Sequence, residues 1–369
     1  MNSSEKEQKI EMLKNVWPKN KAKGLLAQIS LFEKFENKEF GENAKDKLMP
    51  GCWLLSPKEE NFFKFRFAFF VHPTVLLDLK GNSELKIKDL LGEKYRPFYS
   101  ISLFLNKAGI EVIYVIPNLN NKQDTLKSKN GKFEDMEWIF FRFTNEDFYH
   151  INPEKLFKNW IGNSGRPSRG GNWGQELENR MINLNDSILN MLFLNELFFS
   201  GYLKKVLKKP FYDPYDVDAF IISISQKNIF PIEIKEKFPG KNRDKTFFGI
   251  DAGRIMMLLR LALPNDANAI YIVKETDQNG QFRNWKYTTL SNIVMASSWN
   301  LQAGGIGMGG QNTQTVRIPY DQFKTFDKNT LTEENLEKIG QLSKEIKGMA
   351  KEFLDELISK FYGGNHERD

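Results

Sequence analysis

Residues 218–225 and 229–236 are two apolar runs separated only by Gln226-Lys227-Asn228. An acidic residue opens the first run, and the second carries Glu233 and Lys235 two positions apart. The short turn predicts an antiparallel hairpin of two buried strands. On a strand, residues two apart share a face, so Glu233 and Lys235 project together while Ile232 and Ile234 face the other way. Pairing 225 with 228 or 229 brings Asp218 opposite roughly position 235, within a residue or so of register. The expected result is a cluster of Asp218, Glu233 and Lys235 at a sheet end. Asp216, two residues earlier, shares the face of Asp218 if the strand extends that far, and it is an alternative first acid. Charged side chains on a buried strand require a partner or a function.

Two carboxylates joined by a backbone carbonyl are the hard oxygen donors that Mg²⁺ prefers. A cation held there polarises a phosphoryl oxygen and activates water. A neighbouring lysine holds the attacking water or offsets charge in the transition state. That is the chemistry of phosphodiester hydrolysis. The arrangement Asp218-x14-Glu233-x-Lys235 resembles the PD-(D/E)xK nuclease superfamily, which includes most type II restriction endonucleases; the resemblance spans roughly residues 185–290. It implies Asp218 and Glu233 as metal ligands and Lys235 as the catalytic lysine. It further implies an added acidic residue from the preceding helix, for which Glu196 is the candidate. A helix expected over 247–263 would pack on the sheet and bring Asp251 and Arg254 near the site. In one respect the sequence departs from the family pattern: Asp213-Pro214 lies upstream, and Val217 directly precedes Asp218.

The wider pattern predicts an α/β (α+β) protein of two domains, as 369 residues allow. Residues 1–165 read as a strand-rich α+β domain and 176–369 as a nuclease core with a central mixed sheet flanked by helices. In the first, helical spacing at Ile10, Leu13, Val16 and Trp17 ends at Pro18, and a second short helix covers 25–35. Residues 61–70 alternate Phe63, Phe65, Phe67 and Phe69 with Lys64 and Arg66, which predicts a half-buried strand with a basic face. A hairpin is expected over 98–116, a polar loop over 124–132 and a strand over 137–143. Residues 160–175 carry five glycines, Arg166 and Arg169, and are read as a linker or loop at the domain boundary. Beyond it come a long helix over 182–209, strands over 269–274 and 285–292, and a C-terminal helix to about 361, opened by a Thr330-x-x-Glu333 capping box.

Lys+Arg number 53 against 47 Asp+Glu, so the net charge of +6 leaves nucleic-acid binding undecided. Placement carries more information. Lys235, Lys237, Lys241, Arg243 and Lys245 form a basic run directly after Glu233, suited to a phosphate backbone. Gln311, Asn312, Gln314 and Arg317 follow the glycine-rich stretch 304–310 and have the chemistry to read base edges. That stretch lacks the Lys-Ser/Thr of a phosphate-binding P-loop. The single Cys52 excludes an internal disulfide framework, and three scattered histidines argue against a histidine metal centre. No apolar run approaches a membrane span, and residues 1–8 lack a signal-peptide core, so a soluble cytoplasmic protein is expected. The reading is a Mg²⁺-dependent endonuclease acting on double-stranded DNA as a homodimer. The alternatives are a repair or recombination nuclease of the same superfamily and a non-catalytic DNA-binding protein on a degenerate nuclease fold.

Overall fold

The computed structural model describes residues 3–55, 65–77, 79, 85–119, 136–158, 173–206, 215–243, 245–296, 302–306 and 312–362. These form a mixed α/β structure that divides into two compact units interleaved in sequence. The first unit comprises Met1–Leu26 and Cys52–Asp216, the second Ala27–Gly51 and Val217–Asp369. The division therefore differs from a single boundary between 165 and 176, because residues 27–51 supply core to the second unit. The glycine-rich loop and the polar loop expected over 124–132 lie outside the described residues, apart from 173–175 of the former.

The first unit holds α1 (Ser3–Val16), the start of α2 (Lys19–Glu36) and the end of β1 (Leu48–Leu55). There follow β2 (Phe67–Val71), β3 (Leu76–Leu77), α3 (Ile87–Leu91), α4 (Tyr95–Lys107) and β4 (Glu111–Leu119). Next come β5 (Glu137–Phe143), β6 (Phe148–Ile151), α5 (Pro153–Leu156), α6 (Gln175–Ile182) and α7 (Asp186–Glu196), which continues into π-helical turns over Leu197–Val206. The strands run in the order β1-β2-β4-β5-β6, with β2 and β4 parallel. Parallel neighbours need a crossover. This is why 98–105 is the helix α4 and not the strand of a hairpin. Phe98, Ile101, Ser102 and Leu105 are buried at spacings of three and four, a helical stripe.

The expected basic face of 61–70 is also corrected. The described strand starts at Phe67, and Lys64 lies outside the described residues. Both faces of β2 are buried. Phe69 meets Phe198 at 5.5 Å on one side, and Phe70 meets Phe98 at 4.8 Å on the other. Arg66 instead lies over the Phe67 ring. The long helix expected over 182–209 is interrupted before Asp186, where the Asn185 side chain accepts from Ser187 N at 2.7 Å and starts a new helix.

Buried His72 contacts the Tyr114 hydroxyl at 2.7 Å through Nδ1 and the Thr74 hydroxyl at 2.9 Å through Nε2. Burial lowers its pKa to about 4. The unfolded chain takes up this proton near 6.5, while the folded protein resists it until about 4, so stability falls as pH drops through that window. The cost is about 3 kcal/mol across the window. In chemical unfolding followed by fluorescence, His72→Asn should lose less stability between pH 7 and 4.5 than wild type; equal losses would exclude His72 as the source.

The second unit takes the rest of α2 and adds β7 (Tyr215–Ile222), β8 (Ile229–Lys237), β9 (Gly240–Asn242), β10 (Lys245–Asp251) and α8 (Ala252–Ala262). It continues through β11 (Ile270–Thr276), β12 (Phe282–Thr289), α9 (Leu290–Ala296), β13 (Gln302–Ile306), β14 (Asn312–Pro319) and β15 (Lys324–Thr325). Helices α10 (Glu333–Gly340) and α11 (Lys344–Tyr362) close it. The strands β7-β8-β11-β12-β15 form a mixed sheet, in which α8 is the crossover between parallel β8 and β11. A second sheet has the order β13-β14-β10-β9. On one face of the main sheet, Ile232, Ile234, Ile270 and Ile272 share a buried cluster with Ala27, Leu31 and Phe35 of α2.

Three expectations change here. The helix expected over 247–263 is strand β10 followed by α8, because Asp251 caps the helix by accepting from Gly253 N at 2.8 Å. The strand expected over 285–292 ends at Thr289, and α9 begins at Leu290. The capping residue of α10 is Thr332, which accepts from Asn335 N, while Thr330 takes part in a separate box with Asp327. Among the described residues no helix is long and apolar enough to cross a membrane.

Candidate active site

The hairpin of β7 and β8 is antiparallel, with Ala219 paired to Ile232 and Ile222 to Ile229. Continuing that register sets Asp218 across from Glu233, not from Lys235 as the turn length suggested. At this point a side chain replaces the backbone ladder. Asp218 Oδ2 accepts from Ile234 N at 2.6 Å, and the Gln28 amide donates to the Asp218 carbonyl. The first acid is thereby fixed from both sides, by the neighbouring strand and by α2.

Glu233 is completely buried. Lys235 Nζ lies 2.6 Å from its Oε1, and Arg254 Nε from α8 lies 3.5 Å from the same atom. Neither contact has hydrogen-bond alignment, and neither carboxylate oxygen has a hydrogen-bond partner among the described residues. A buried carboxylate in that condition is costly unless something else engages it. Asp218 is 8% exposed, while the Lys235 and Arg254 side chains keep 30% and 21% of their surface open. Buried Glu233 thus meets two partly accessible cations, with Asp218 across the hairpin from it.

Tyr271 completes the surroundings. In the parallel pairing of β8 with β11 it is registered with Glu233, and its hydroxyl donates to Gly249 O of β10 at 3.1 Å. Burial pushes its phenol well above the usual range, and the Glu233 charge adds to the effect. Lys237, next on the same face of β8, has its ammonium pKa lowered, mainly by burial and then by the Lys235 charge. The face therefore carries concentrated positive charge beside one buried acid.

Comparison with family models, curated proteins and solved structures finds no match to this chain.

The donor set fits a hard divalent cation that keeps several waters, since Mg²⁺ commonly takes one or two carboxylates from the protein. Among the described residues no three His, Cys, Asp or Glu side chains gather as a metal cluster. The fit therefore rests on Asp218 and Glu233, and above all on the unengaged Oε2 of Glu233.

Of the residues singled out in the sequence, Glu233, Lys235 and Arg254 are brought together, and Asp218 stands across the hairpin from them. Asp251 serves as a helix cap. Glu196 belongs to the other unit. Its carboxylate accepts from Trp17 Nε1 at 2.6 Å, Lys21 Nζ at 2.8 Å and the Ser200 hydroxyl, so it ties α7 to the segment joining α1 and α2.

The residues expected to contact DNA gather mainly on the second sheet. Lys241 and Lys245 are exposed on β9 and β10, and Arg243 is exposed in the turn between them with φ of 54°. Asn312, Gln314 and Arg317 lie on β14; the Arg317 guanidinium rests 4.7 Å from the Phe247 ring centroid. Gln311 lies outside the described residues. Tyr271 and Gln28 were not anticipated. A tyrosine inside the apolar run 269–274 was the available signal for the first, and nothing local marks the second.

Proposed function

We propose that the second unit is the catalytic core of a Mg²⁺-dependent endonuclease that hydrolyses phosphodiester bonds in double-stranded DNA, in the manner of type II restriction endonucleases. The observation that carries this reading is Glu233: a wholly buried carboxylate with an unengaged oxygen, across from Asp218 and under the Lys235 and Arg254 cations. Asp218 and Glu233 would hold the cation. When bound, it polarises a phosphoryl oxygen and makes water a stronger nucleophile. Lys235 holds the attacking water or offsets the charge that builds on the phosphoryl oxygens, and Arg254 adds a second positive group on the same side. Water gives up a proton as its oxygen bonds to phosphorus, the P–O ester bond breaks, and the leaving alkoxide takes up a proton in exchange. The basic second sheet supplies backbone contacts. Two such chains would cut the two strands of a site with matching two-fold symmetry.

The direct test is incubation of purified full-length protein with plasmid and phage DNA, with Mg²⁺ or with EDTA. Discrete fragments that require Mg²⁺ support the reading, smearing or structure-specific nicking favours a repair nuclease, and intact DNA under every divalent metal removes both.

A further inference from the structure

Phe238 is 52% exposed, in the turn that joins β8 to β9. It stands three residues after Lys235 and between Lys237 and Lys241. A large aromatic side chain left half in water costs apolar solvation, and here it is surrounded in sequence by cations rather than by other apolar groups. The backbone on either side is fixed. Lys237 ends a core strand, and Gly240 pairs with Phe247 so closely that a Cβ at Gly240 would strike the Phe247 ring. The exposed ring is therefore held by two anchored strands and is not part of a loose excursion. Exposed cations at Lys241, Arg243 and Lys245 follow it directly. Glu236, the acid within this run, is drawn toward Lys274 at 3.8 Å.

From this placement we infer that Phe238 is a base-stacking residue that engages bases unstacked beside the cleaved step of the bound duplex, so that DNA already opened there binds more tightly. The inference rests on the nuclease reading above. The charge pattern suits a polyanion, and an aromatic face among backbone-binding cations is the combination that binds unstacked bases. Within paired DNA a base step must be wedged apart before such a ring can enter, which costs energy that an already opened step does not require. The ring thus confers preference, and the cations confer general affinity.

The test uses full-length Asp218→Asn protein, which holds DNA without cutting it, and fluorescein-labelled duplexes that are either fully paired or carry a short central mismatch bubble. Anisotropy titrations should show tighter binding to the bubble. Adding Phe238→Ala should remove that preference, weakening bubble binding roughly tenfold while leaving the paired duplex within about twofold, the scale of a change in which no stacking contact is lost. Phe238→Trp should keep the preference. Equal loss on both duplexes, an unchanged preference in Phe238→Ala, or no preference at all overturns the assignment of Phe238 alone. Failure of Asp218→Asn to bind either duplex overturns it together with the nuclease reading. A Phe238→Ala protein that unfolds early would show a lowered melting temperature, and Phe238→Leu, apolar but without a flat ring, then takes its place with the same expected loss.

Discussion

If the proposed nuclease reading holds, Glu233→Gln and Asp218→Asn should each abolish DNA cleavage while leaving the protein folded and able to bind DNA. The expected loss is about 10³-fold or more, because on that reading the carboxylates would hold the Lewis acid, whose contribution is several kcal/mol. Glu233 has no exposed surface, and Gln fills its space at nearly equal volume while removing the charge that faces Lys235 and Arg254. Asp218 also accepts from Ile234 N, and Asn keeps an oxygen for that bond. Binding in EDTA should be equal to or tighter than wild type, since a negative charge that faces the phosphate has been removed. Cleavage rates in Mg²⁺, anisotropy in EDTA and melting temperature separate the three effects. Cleavage by Glu233→Gln within tenfold of wild type would sink the assignment. Asp216→Asn is the comparison for the first acid: a dead Asp216→Asn beside an active Asp218→Asn would move that role two residues along the strand.

The second large effect lies at a residue without a side chain. A Cβ on Gly51 would overlap the Val217 carbonyl oxygen and crowd the Asp218 carbonyl group. The obstacle is backbone, which has no rotamer to change, so Gly51→Ala should destabilise by about 1–3 kcal/mol and a larger residue by more. Because the displaced backbone carries Asp218, cleavage should fall further than the folded fraction does, by about 10²-fold at temperatures where the variant is fully folded. The control is Gly24→Ala. Gly24 is in α2, has nothing within 4 Å of a new Cβ, and should be neutral or gain about 0.5–1 kcal/mol from the better helix former. A normal melting temperature and rate for Gly51→Ala would show that the close approach is not maintained in solution.

The hairpin and its charged pair were legible in the sequence because the signal is local: a short turn, two apolar strands and a period of two. Its register was not legible, because β7 stops at Ile222 and Ser223–Asn228 form the turn, so Ile222 pairs with Ile229 and Asp218 falls opposite Glu233. Residues 247–251 suit the helix expected over 247–263 as well as they suit the end of β10, because Phe247, Phe248 and Ile250 are apolar at spacings that fit either element. The deciding residue was Asp251, a capping type placed directly before Ala252-Gly253. Residues 98–105 were misread in the opposite direction, although their buried stripe has helical spacing. Arg254 emerged through the resemblance, which put it on a helix near the sheet. Gln28 and the Gly51 approach involve contacts of 190 and 166 positions along the chain, and no local pattern encodes them.

The interleaving of the two units has a consequence during synthesis. Ala27–Gly51 leaves the ribosome well before Val217, with Cys52–Asp216 in between. At about 5–20 residues per second, that interval is on the order of ten seconds or more. Throughout it, Ala27, Leu31 and Phe35 of α2 form an apolar face whose partner strands do not yet exist. That apolar face waits for β7 and β8 to be synthesised, so yield in the cell should rise when elongation is faster or when chaperones that cover apolar segments are supplied.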